Sequence, residues 1–177
     1  MQKEITYRLS EETEDGAINN GLYLHVELDC PMTQELFEKD IVPTFRELKH
    51  NDDSPDDFII VSFNYQHPAG VVFIQTSANS EGDHNLEIAR YEENIPLDAL
   101  VYEDDDGNPY KLYCVESDPS ESSEEEVIAI LRKVIVEEQC PELVKPWRDI
   151  TEIAIKNYWK KRLEALSLQK VDKESMN

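Results

Sequence analysis

Two apolar runs constrain this chain more than any other feature. FIIVSFNY (58–65) and GVVFIQT (70–76) are its most apolar segments, and they meet at the polar join QHPAG (66–70). Runs rich in Val, Ile, Phe and Tyr around a Gly/Pro connector predict a β-hairpin, here at the centre of a sheet. Other strands follow by alternation. In 21–28, Leu22, Leu24, Val26 and Leu28 share one face and Tyr23, His25 and Glu27 the other. That pattern fits a strand with one buried and one wet face. Ile5, Tyr7 and Leu9 alternate in the same way, before an acidic turn over 10–20. Further strands are expected at 86–91, after the polar loop SANSEGDHN, and at 100–103 and 110–115.

Helical spacing appears in three places. Phe37, Ile41, Phe45 and Leu48 recur at intervals of four, four and three within 33–49, which makes one apolar stripe. Pro43 lies inside that stripe, removes a backbone donor and crowds the Lys39 carbonyl, so a kink or two short helices are expected. The segment HNDDSPDD (50–57) reads as a loop, and SDPSESS (117–123) as a linker-like turn. Ser123 with Glu126 forms a capping box. Val127, Leu131, Val134 and Ile135 then give a helix face reaching about Gln139, ended by Cys140-Pro141. A longer helix is expected from 143–146 to 168, lined by Trp147, Ile150, Ala154, Tyr158, Trp159, Leu163 and Leu166, with 169–177 a frayed tail. The order of elements predicts an α+β fold: a mainly antiparallel sheet of about five to seven strands, one helix inserted after strand 2, and two C-terminal helices packed on the sheet. The chain is long enough for a single domain, 1–168, whose helical part is 123–168.

Charge narrows the function. The 177 residues include 39 Asp and Glu against 17 Lys and Arg, a net charge of −22. Phosphates and anionic membrane surfaces are repelled by such a surface, so neither direct nucleic-acid binding nor membrane binding is expected. A basic protein is the favoured partner, with electrostatically steered association. The charge is uneven: residues 1–140 carry 33 acids and 9 bases, whereas 141–177 carry 6 acids and 8 bases. The mildly basic end suggests an alternative reading, an adaptor or structural subunit that forms a homodimer through its C-terminal helices. The N-terminal stretch MQKEITYRLSEE has no apolar signal segment, and no run approaches a membrane span. Cys30, Cys114 and Cys140 are odd in number and widely spaced, which is not a disulfide framework. A cytoplasmic location is therefore expected.

The densest acidic stretch is YEDDDGNPY (102–110). A calcium loop of the EF-hand type needs oxygen ligands at positions 1, 3 and 5, glycine at 6 and glutamate at 12. With Gly107 at position 6, Asp106 and Asp104 fit, but Tyr102 and Tyr113 occupy positions 1 and 12. Asp-Gly between alternating strands instead signals a hairpin turn. Its tip, with Glu103, Asp104, Asp105 and Asp106, is a protruding negative knob flanked by Tyr102 and Tyr110. A second cluster is Asp52, Asp53, Asp56 and Asp57, and a third is Glu121, Glu124, Glu125 and Glu126. Tyrosines beside carboxylates are a common interface composition.

Catalytic patterns are missing from the sequence. His25, His50, His67 and His84 form no helical pair and no HxH. With 5 glycines there is no phosphate loop, and no GxSxG or HExxH occurs. No catalytic residue, metal ligand or cofactor is assigned, and a metal-assisted hydrolase is the least favoured reading. In composition the chain resembles the small acidic inhibitors of basic nucleases, the immunity proteins paired with bacterial toxins. The resemblance covers no motif and carries over no residue. It implies a binding protein. The acidic clusters themselves supply its candidates: first Asp104, Asp105, Asp106 and Glu103 with Tyr102 and Tyr110, and then Asp52, Asp53, Asp56 and Asp57.

Overall fold

A computed structural model of the chain describes residues 5–12, 18–50, 57–78, 84–115 and 124–175, up to Tyr23 as backbone only. Its strands are β1 (Ile5–Glu12), β2 (Ile18–Leu28), β3 (Phe58–Phe63), β4 (Val71–Ala78), β5 (His84–Tyr91), β6 (Tyr102–Glu103), β7 (Pro109–Val115) and β8 (Trp147–Asp149). They form one sheet in the order β1-β2-β3-β4-β5-β7-β6, with β8 also pairing to β7. Every pairing is antiparallel except β2 with β3. The fold is α+β as expected, with β3 and β4 as its central hairpin. Residues 10–12 and 18–20, expected to belong to an acidic turn, extend β1 and β2 instead.

The parallel β2–β3 pair needs a crossover, and the helical stretch after strand 2 supplies it. Thr33 starts that stretch by accepting the Leu36 N–H on its hydroxyl at 3.3 Å. There follow α1 (Gln34–Leu36), a π-helical turn (Phe37–Ile41) and α2 (Val42–Arg46). The expected irregularity at Pro43 is thus a widened turn just before the proline, which has no N–H to give to a regular ladder. Phe37, Ile41 and Phe45 still reach the core, each fully buried.

Alternation then builds the core. Leu24, Val26 and Leu28 of β2, Ile59 and Val61 of β3, Ile74 of β4, and Leu86 and Ile88 of β5 point to one face and are buried. The helix α3 (Glu124–Ile135) lies on that face through Val127, Ile128, Leu131, Val134 and Ile135. It ends before the expected Gln139. Its Val134 carbonyl accepts a hydrogen bond from His67 Nε2 at 2.9 Å, and Glu138 turns the chain at a φ of 54°. Ser123, the expected cap, lies outside the described residues.

The last third departs from expectation. Residues 147–149, assigned to a helix from the sequence, form β8 on the outer edge of β7. The helix α4 (Thr151–Ser175) starts later and runs past 168 through residues expected to fray. Its start is tied to the sheet: the Thr151 hydroxyl accepts the Leu112 N–H at 2.9 Å and donates to Asp149 Oδ1 at 2.7 Å. Beyond that start it does not pack on the sheet. Thr151 is its one buried residue, and Tyr158, Trp159, Leu163 and Leu166 are at least half exposed. Of the two C-terminal helices, α3 covers the sheet and α4 leaves it.

Candidate acidic interaction site

The hairpin tip of β6 and β7 is built by its own sequence. The Gly107 N–H bonds the Asp104 carbonyl at 3.0 Å, and the Asp104 N–H bonds the Asn108 carbonyl at 3.0 Å. Gly107 sits at a φ of 81° with nothing near a Cβ, so backbone conformation, not space, demands glycine here. This is a three-residue hairpin loop closed by a left-handed residue.

Asp104 holds the turn together. Its carboxylate accepts the backbone N–H groups of Asn108 at 2.8 Å and Asp106 at 3.0 Å, the Asn108 side-chain amide at 3.1 Å and the Tyr91 hydroxyl at 2.7 Å. Those donors, led by Asn108 N–H, bring its carboxyl down to about 2. Asp104 therefore belongs to the scaffold, while Glu103, Asp105 and Asp106 are exposed.

An aromatic row runs beside the tip on the sheet face opposite the core. Tyr110 stacks on Tyr102 with ring centres 5.4 Å apart and meets Tyr91 and Phe73 edge-on at 6.3 and 6.2 Å. Strand pairing puts Tyr91, Tyr110 and Tyr102 in register. Burial raises the phenols of Tyr102 and Tyr110. Burial and the Asp104 carboxylate together push Tyr91 up to about 12.

Between the tip and the β3–β4 connector lies an open cleft of about 680 Å³. Its acidic wall is Glu92, Glu93, Asp104, Asp105 and Asp106, and no basic residue lines it. Tyr65 and Tyr91 line it as well. The Tyr65 hydroxyl is buried beside the Glu138 carboxylate. Burial, then the neighbouring Glu138 carboxylate, raises its phenol. Glu92 also accepts the Tyr113 hydroxyl at 2.7 Å.

The candidates do not all meet here. Glu103, Asp104, Asp105, Asp106, Tyr102 and Tyr110 share the tip and its aromatic row. Asp57 does not: it is 5% exposed, and its carboxylate accepts the Lys49 N–H at 2.9 Å. It ties the start of β3 to Lys49 from inside, a buried role that its sequence cluster hid. Asp52, Asp53 and Asp56 lie outside the described residues. Glu124 and Glu125 are answered within the molecule by the Arg46 guanidinium. Sequence reasoning saw Tyr65 only as an aromatic near a hairpin end and missed Tyr91, Glu92 and Glu93, because segments remote in sequence come together only at one end of the sheet. The one local signal was YEEN (91–94), an aromatic-acidic strand end of the same character as the tip.

Among the described residues, no group of three or more His, Cys, Asp or Glu is arranged to hold a metal ion. The three thiols are unbridged. No described helix is long and apolar enough to cross a membrane. No protein-family model, curated protein or solved structure matches the chain.

Proposed function

We propose that this chain is an acidic, cytoplasmic protein-binding module that neutralises a basic protein, an inhibitor that covers the phosphate-binding surface of a nuclease-type toxin. The observation behind this reading is the cleft: five carboxylates, no lining base, and tyrosines along its edge. Carboxylates of Asp105, Asp106, Glu92 and Glu93 would stand where substrate phosphates sit. Tyr91, Tyr102 and Tyr110 would supply the desolvated anchors that carry most of the binding energy in such interfaces. The net charge of −22 steers a basic partner toward the cleft. The Asp104 network holds the tip in shape beforehand, which lowers the ordering cost of association.

The test is capture from a lysate at low salt by the wild-type chain and by a variant carrying Glu92→Lys, Asp105→Lys and Asp106→Lys. The expected result is one basic protein held by the wild type, released as salt rises and lost by the variant. Its phosphodiester cleavage should stop at one equivalent of wild-type chain. Equal retention by the reversed variant would remove the cleft from the mechanism.

A further inference from the structure

Among the described residues, the long element without tertiary cover is α4. At 1.5 Å per residue its 25 residues span about 37 Å, and an isolated helix is marginal in water unless an apolar face is packed. Ile155, Trp159, Leu163 and Leu166 fall at intervals of four, four and three, one stripe along the helix. Trp159, Leu163 and Leu166 on it are 55%, 62% and 50% exposed.

We infer that this stripe pairs with the same stripe of a second copy, the two α4 helices running antiparallel. Charge selects both the occupant and the direction. The first half of the helix, 151–163, has four bases and one acid; the second half, 164–175, has three acids and two bases. Antiparallel pairing sets the basic half of one copy against the acidic half of the other, whereas parallel pairing sets basic against basic. The bodies decide in the same sense. Residues 1–140 carry 33 acids and 9 bases, so two bodies side by side repel strongly. Antiparallel helices hold the bodies at opposite ends, separated by a helix length of about 37 Å, several times the Debye length of about 8 Å at physiological salt. The interface is isologous, as a two-fold dimer requires. The dimer carries its two acidic clefts on separate bodies, and it stands or falls independently of what those clefts bind.

Sedimentation equilibrium of the full chain at tens of micromolar tests the pairing. The expected mass is twice the 20.5 kDa of one chain. The Leu163→Glu/Leu166→Glu variant, altered only at exposed positions, should sediment as a monomer with an unchanged circular dichroism spectrum. A monomeric wild type, or a variant that stays dimeric, overturns the proposal. Direction is read by single cysteines on a background with the native cysteines replaced by serine. Leu163→Cys, at the midpoint of the helix, should form a disulfide between copies and Lys170→Cys, four residues beyond Leu166 on the same stripe, should not. Efficient cross-linking at both positions would mean parallel helices and would overturn the antiparallel assignment.

Discussion

Asp104 and His67 show how single polar side chains hold this fold. The Asp104 carboxyl is expected to titrate near 2 by NMR, below the ordinary carboxylate range. Its pKa is depressed in the folded state, so its contribution is present above the unfolded value of about 4 and is lost as pH falls toward 2. Replacing it, Asp104→Ala, removes one of the causes that push Tyr91 up to about 12. A phenolate absorbance titration should then show Tyr91 ionising at lower pH than in the wild type. His67 is 4% exposed; its Nδ1 accepts the Ala69 N–H at 3.1 Å, so Nε2 carries the proton given to Val134. His67→Phe keeps a ring against Phe63 but leaves that carbonyl and that N–H unpaired. Denaturant unfolding should show a loss of about 2 kcal/mol.

The helices α3 and α4 both carry apolar residues but have opposite fates. In α3 the apolar residues gather on one face, and all of that face enters the core. In α4 Ile153, Leu168 and Val171 lie off the stripe of Ile155, Trp159, Leu163 and Leu166, so no single face can cover the sheet. Leu131→Ala should therefore cost about 3 kcal/mol in unfolding free energy, through lost burial and the cavity left behind. Leu168→Ala, at a position outside the stripe, should change it by less than about 0.5 kcal/mol. Equal losses from the two substitutions would mean that α4 is packed along its length.

For the molecule as a whole, the charge of −22 sets a balance between solubility and self-repulsion. Among the described residues, Arg46 meets Glu124 and Glu125, Arg132 meets Glu38 at 2.7 Å, Lys111 meets Asp149 at 3.0 Å and Lys156 meets Glu152 at 2.5 Å, while the chain carries 39 acids against 17 bases. Repulsion among the remaining carboxylates outweighs such surface pairs, each worth about 0–1 kcal/mol. Added sodium chloride should therefore raise the melting temperature measured by calorimetry, while weakening any complex made through the cleft. A melting temperature that falls with salt would mean that the ion pairs dominate.

The alternation in 21–28 and the hairpin of 58–76 were legible because a period of two with one buried face admits one strand orientation. So was the stripe of 33–49, whose apolar spacing survives the π turn that Pro43 imposes. The tip turn was legible too, since Asp-Gly chemistry acts within five residues. Three things were decided only in three dimensions. Trp147–Asp149 became a strand because β7 offered an unpaired edge, a partner more than thirty residues away. Asp57 was taken inside because Lys49 presents a backbone N–H there, so a residue that looks like surface charge serves as a clasp. The cleft exists because the ends of β3, β5 and β6 converge, bringing Tyr65, Glu92 and Asp105 together. Local periodicity specifies which face of an element is apolar; which elements meet, and which charges are left facing solvent, follows from how those faces are stacked.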